Sequence, residues 1–205
     1  MQVLEQRNFQ RFSTLLLIFF FVGCVLLLGL PQSVYAETIT VTNTLDDGSV
    51  GSLRYAVITG TVSGDTIVFD VTGTILLTWG QIDITTKTLT LNGPGAMALA
   101  INGNSAGPIF DVADSGALTI TNLTLENGNA GVALYGGGLR SHGPLTVRDC
   151  VFRGNAASTG AALYANGDTT LIEDTAFYTN TASFTGGGLY IGRGTATLTN
   201  VTFSG

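Results

Sequence analysis

A parallel β-helix is the fold class that this sequence predicts, on three observations. The composition suits stacked strands and tight turns. Two motifs recur together at a near-constant spacing. The recurring columns change parity at one fixed Asn/Asp position.

Of 205 residues, 28 are Gly and 30 are Thr, while charged residues make up 11% and Lys87 is the one lysine. So few Lys and Glu argue against a helical bundle, whose surface uses those residues. A net charge of −6 excludes the basic patch that nucleic acid requires. Disorder is excluded by 45% hydrophobic residues, many of them β-branched.

Four segments align: Ala117–Gly128, Pro144–Asn155, Thr169–Asn180 and Thr195–Gly205. Their anchors are Leu125, Phe152, Phe177 and Phe203, spaced by 27, 25 and 26 residues. A second motif precedes the last three anchors: Gly136-Gly137-Gly138-Leu139, Gly160-Ala161-Ala162-Leu163 and Gly186-Gly187-Gly188-Leu189. Two registers repeating together mark one structural unit that must stack on its neighbours to bury a core.

Within each unit, Ile120, Val147, Ile172 and Leu198 form one apolar column, and Leu123, Cys150, Thr175 and Val201 another. Between them stands a column of Asn122, Asp149, Asp174 and Asn200. Strand side chains alternate at period two, and the two apolar columns are out of phase. A bend at the Asn/Asp column restores the phase, because these residues tolerate the left-handed conformation. Each segment is therefore two short strands joined at a corner, and the Gly-rich motif opens a third. Three strands per turn of about 25 residues describe one coil, stacked on the next at ~4.8 Å. Scarce charge also follows, since like charges in register would repel.

Before residue 117 the pattern is looser. Thr38–Thr44, Thr66–Val71, Thr74–Thr78, Gln81–Thr85 and Thr88–Leu91 read as strands. Asn92–Gly95, Asn102–Asn104 and Val112–Gly116 read as turns or loops. Gly51–Ile58 reads as a helix capping the open first coil, the irregular cover that terminal repeats need. At the other end the chain stops at Phe203-Ser204-Gly205, one residue before the Asn that closes earlier anchors, so a truncated repeat is expected.

The first 36 residues read as a signal peptide. Arg7 and Arg11 precede an apolar run from Leu15 to Leu30, and Val34-Tyr35-Ala36 fits a cleavage site. The run is shorter than the ~20 residues of a membrane span. A lipoprotein acylated at Cys24 is a weaker alternative, because apolar residues continue past that cysteine. Cleavage after Ala36 leaves six basic and 13 acidic residues and Cys150 alone, so no intrachain disulfide. The expected organisation is signal peptide 1–36, cap and irregular coils 37–116, and regular repeats 117–205.

The F-x-x-N pattern of Phe152–Asn155 and Phe177–Asn180, with the paired Gly-Gly-Gly-Leu motifs, resembles the polymorphic outer membrane protein (Pmp) repeat. Gly160–Leu163 departs from that motif at Ala161. Gly51-Ser52-Leu53-Arg54-Tyr55-Ala56-Val57 resembles the CSLREA motif that precedes such repeats, with Gly51 in place of Cys and Tyr55 in place of Glu. The resemblance covers Thr38 to Gly205 and implies a right-handed, pectin-lyase-like β-helix, exported to the cell surface or beyond. It implies adhesion or passenger-domain roles and transfers no catalytic residue. The outer-membrane barrel that would anchor an autotransporter is not found in this sequence.

Catalytic chemistry finds few candidates. Asp149 and Asp174 stack in the corner column, but Asn122 and Asn200 share it, so turn residues are the expected reading. Arg148 and Glu173 read as an exposed cross-strand ion pair. His142, the one histidine, has no partner in sequence, and Cys150 reads as a buried, inert thiol. Asp46-Asp47-Gly48 lacks the spaced acids of a calcium loop and reads as a turn opening the helix. A flat Thr array for ice, suggested by Thr119/Thr121 and Thr197/Thr199, is interrupted by Thr146/Arg148 and Leu171/Glu173.

The expectation is a non-enzymatic, exported module for adhesion or surface scaffolding, with no catalytic, cofactor or metal residues. Its partners would be host or neighbour-cell glycans or proteins, never nucleic acid, and a membrane only through export or an anchor elsewhere. Tyr135, Tyr164, Tyr178 and Tyr190 are the candidate glycan contacts, Tyr164 and Tyr190 pointing outward. The alternative is a polysaccharide lyase or glycoside hydrolase on the same fold.

Overall fold

A computed structural model describes residues 35–131 and 134–205. Met1–Val34, and with them nearly all of the expected signal peptide, lie outside the described residues. Strand β1 (Thr38–Val41) precedes a short helix, α1, which is α-helical over Leu53–Tyr55 and π-helical over Ala56–Gly60. The first coil is β2 (Thr66–Phe69), β3 (Gly73–Leu76) and β4 (Ile82–Ile84). The second is β5 (Thr88–Asn92), β6 (Leu99–Asn102) and β7 (Phe110–Val112). The third is β8 (Ala117–Thr121), β9 (Thr124–Glu126) and β10 (Leu139–Ser141). The fourth is β11 (Leu145–Arg148), β12 (Val151–Arg153), β13 (Ala156–Thr159) and β14 (Leu163–Ala165). The fifth is β15 (Thr169–Glu173), β16 (Ala176–Tyr178), β17 (Thr181–Thr185) and β18 (Leu189–Ile191). Strands β19 (Thr195–Thr199) and β20 (Thr202–Ser204) follow.

Like strands of successive coils pair in parallel. Sheet A holds β1, β2, β5, β8, β11, β15 and β19; sheet B runs from β3 to β20, and sheet C from β4 to β18. The result is a right-handed parallel β-helix of about six turns. In sheet A, Ile39, Ile67, Leu91, Ile120, Val147, Ile172 and Leu198 stand in one inward column. In sheet B, Ile75, Ile101, Leu125, Phe152, Phe177 and Phe203 do the same. The three Phe rings stack at 5.0 and 4.8 Å. Full burial of each such ring contributes roughly 1.5–3 kcal/mol. In the last coil Leu198 is 42% and Phe203 51% exposed, against 0% for Ile172 and 1% for Phe177, because no described strand stacks beyond β19 and β20.

The corner column is left-handed throughout, with φ of 59° at Asn122, 51° at Asp149, 47° at Asp174 and 52° at Asn200. These residues turn the chain from sheet A to sheet B, as their parity required. In the Gly-rich motif, Gly136 has φ of 65°, and a Cβ on Gly138 would lie 2.5 Å from the Ala162 carbonyl oxygen of the next coil. The Asn of F-x-x-N points inward. Asn155 Oδ1 accepts from the Gly128 N–H at 2.8 Å, and its Nδ2 donates to the Leu125 carbonyl at 3.1 Å.

Four expectations are corrected. The helix does not begin at Gly51, whose φ of 90° is not helical; Ser52 is its N-cap, its hydroxyl accepting from the Tyr55 N–H. The fourth and fifth coils hold four strands, not three, because β13 and β17 pair as an extra short sheet. Asn92, Asn102 and Val112, read as turn residues, end strands β5, β6 and β7. The early strands also end sooner than read, β1 at Val41 and β2 at Phe69.

The cap has its own polar core. Arg54 donates to both carboxylate oxygens of buried Asp46, at 2.6 and 3.2 Å, and to the carbonyls of Gly80 and Gln81. The Thr78 and Trp79 N–H groups also donate to Asp46. Leu53 and Val57 of α1 enter the core. Lys87 donates to the Val57 and Ile58 carbonyls near the end of α1, at 2.8 and 2.9 Å, where a cation suits orphan helix carbonyls.

Candidate functional site

Sheet C carries an outward row of chemically active side chains. The register places Asp83, Asp111, Arg140, Tyr164 and Tyr190 side by side on β4, β7, β10, β14 and β18. They face out because the flanking residues Ile82, Phe110, Leu139 and Leu163 are fully buried, and side chains alternate. Tyr135 joins from the segment before β10, where it bridges to Thr159. Its ring stacks on Tyr164 at 4.7 Å and 18°, and Tyr164 stacks on Tyr190 at 5.4 Å and 7°. The ring of His142 lies 6.2 Å from that of Tyr164, tilted by 56°.

This geometry refines what the tyrosines can do. Tyr164 has both ring faces covered by its neighbours, so a sugar ring cannot lie flat on it. The row presents ring edges and phenol groups instead. Burial pushes the Tyr164 phenol up from its ordinary pKa, and the neighbouring Tyr135 and Tyr190 add to that, against a small opposing effect of Arg140. Arg140 forms a two-point bond to Asp111, Nε to Oδ1 at 2.8 Å and Nη2 to Oδ2 at 2.5 Å. That bond, with the charges of Asp111 and Asp83, outweighs burial and holds the guanidinium pKa above its usual value. Gln81 donates to Asp83 at 2.7 Å.

The remaining candidates lie apart. Tyr178 stands on sheet B in register with Arg153. Arg148 and Glu173 are register neighbours and form the expected exposed ion pair. Asp149 and Asp174 act at the corner, where Asn200 Nδ2 donates to Asp174 Oδ1 at 2.6 Å. Cys150 is 1% exposed, and burial pushes its thiol up to about 12. Asp46 is bound to Arg54, and Asp47 accepts from the Ser49 N–H in a local turn. On sheet A, Thr38, Thr66, Thr90, Thr119 and Thr146 form one outward row, which Leu171 interrupts before Thr197. The adjacent row mixes Val68, Asn92, Arg148 and Glu173, so the two-row Thr array is broken as the sequence indicated.

All six basic side chains among the described residues are engaged. Arg54, Arg140, Arg148, Arg153 and Arg193 pair with Asp46, Asp111, Glu173, Glu126 and Asp168, and Lys87 holds the helix carbonyls. Sequence reasoning missed Asp83, Asp111 and Arg140 as members of the tyrosine row. Their signal was the offset of one residue after Ile82, Phe110 and Leu139, which becomes visible once β7 is recognised.

The fold defines the class: a parallel β-solenoid with an aromatic outward row. No family model matches the chain, and no solved structure matches it. It is similar to the metabotropic glutamate receptor-like protein R of Dictyostelium discoideum, at 39% identity over 107 residues. That alignment takes in 50% of this chain and 6% of the relative, so the chain spans a small part of that protein's length.

Proposed function

We propose that this chain is a non-enzymatic, exported β-helical repeat module that acts in adhesion or as a surface scaffold, built on Pmp-like repeats behind a CSLREA-like cap. The observation that carries the reading is the in-register sheet C row, in which rigid coils hold outward side chains of successive turns in one line. Several features support a display role over a catalytic one. Arg140 is occupied by Asp111, the Tyr164 phenol is moved away from a base at neutral pH, and Cys150 is buried. The likeness to a receptor-like protein is compatible with a display module, and nothing of that protein's own activity is carried over. The lyase or hydrolase alternative predicts turnover of polyuronates and keeps the acid pair Asp83 and Asp111 as its starting point.

The test is to express the full chain with a C-terminal tag and follow it. Export with an N-terminus at Glu37, and adhesion of chain-coated beads to cells, support the reading. Retention inside the cell, or an unsaturated-product absorbance from polyuronate, contradicts it.

A further inference from the structure

We infer that the sheet C row binds a neutral polysaccharide, lying along the solenoid axis with about one sugar per coil; this rests on the display reading above. Five in-register positions, Asp83 to Tyr190, span roughly 19 Å at strand spacing, a straight track for a linear polymer. Its members change in chemistry along the axis: two carboxylates, a guanidinium, then stacked phenols. Sugar hydroxyls both donate and accept, and this row offers them acceptors at Asp83 and Asp111 and phenol groups at Tyr135, Tyr164 and Tyr190. The exposed outer part of Tyr135, 42% accessible, supplies the apolar contact that sugar C–H groups need.

Charge selects against acidic polymers. The row's cation is held by Asp111 at two points, the other described arginines meet carboxylates, and Lys87 is held by helix carbonyls. A uronate or sulfated chain would meet Asp83 and Asp111 with no unpaired cation in the row to answer it. The pre-stacked rings lower the ordering cost of binding, since their rotamers are fixed by one another.

Affinity gel electrophoresis of the intact chain through galactomannan, xylan, mixed-linkage β-glucan or polygalacturonate tests this. At least one neutral polymer retards the chain, polygalacturonate does not, and the retardation persists in salt. Tyr190→Ala lowers that affinity by about tenfold, the loss of one good contact. Tyr190→Phe keeps the stack and separates the phenol's contribution from folding, which thermal unfolding checks for both variants. Equal binding by Tyr190→Ala with an unchanged melting point, preference for polygalacturonate, or capture of a proline-rich peptide in place of all neutral polymers overturns the inference. Cell adhesion without neutral-polymer binding overturns this inference alone; absence of both overturns the display reading with it.

Discussion

Asn180 Oδ1 accepts two hydrogen bonds from Asn155 of the preceding coil, one from its backbone N–H and one from its Nδ2, each at 3.0 Å. Asn180 in turn donates to the Phe152 carbonyl at 3.0 Å. The Asn of the repeat thus ties three consecutive turns through their interior. Asn155→Ala leaves the Gly128 N–H and the Leu125 carbonyl without this partner in a buried site. The expected loss is about 2–4 kcal/mol, from unsatisfied buried groups. Urea unfolding of the variant measures it.

The cap makes stability sensitive to acid. Burial alone would raise the Asp46 carboxyl pKa, but the bonds from Arg54 and the Trp79 and Thr78 N–H groups, with the Arg54 charge, outweigh it and leave it below the ordinary value. A depressed folded pKa contributes stability above the unfolded pKa, about 3.9, and that contribution fades as pH falls through the lower folded value. Asp46→Asn costs roughly 3–5 kcal/mol near neutral pH by stranding buried Arg54. Melting curves between pH 7 and pH 2 show a shallower acid dependence for that variant than for the parent chain.

Cys150 stays unmodified in the folded chain. With its thiol pushed up to about 12 and 1% exposed, negligible thiolate forms at pH 8. Iodoacetamide followed by peptide mass mapping finds Cys150 alkylated only after denaturation.

Corner substitutions separate conformation from contact. Asp149 holds φ of 51°, where a β-branched side chain is strained. Asp149→Val destabilises by about 1–2 kcal/mol, whereas Asp149→Gly or Asp149→Asn lies near zero. Denaturant midpoints of the three variants check the order.

Much of this fold was legible from columns. The parity change at Asn122, Asp149, Asp174 and Asn200 located the corner, because Asn and Asp tolerate the left-handed bend that such a phase shift needs. Strands such as Phe110–Val112 were not legible, since three residues carry too little alternation to show outside their stack. The tyrosine row was half legible. Tyr164 and Tyr190 follow a motif Leu and had to face outward, but Tyr135 reaches Tyr164 from outside the repeat columns. Charge was read too simply: scarcity limits like pairs, and four arginines stand opposite a carboxylate one coil away, as in Arg153 with Glu126. Asp83 and Asp111 are like-charged neighbours that Arg140 relieves, and Asp149 and Asp174 are neighbours in the corner column, where Asn200 donates to Asp174.

The account stands on successive coils holding outward side chains in one line. Tyr164 and Tyr190 are register partners on adjacent parallel strands, within the Cα range that a disulfide bridges. The double variant Tyr164→Cys/Tyr190→Cys, oxidised in the native state and mapped by mass spectrometry, forms that cross-link nearly completely, while Tyr164→Cys/Gly192→Cys does not. Equal cross-linking of both pairs, or of neither, would contradict the single in-register face.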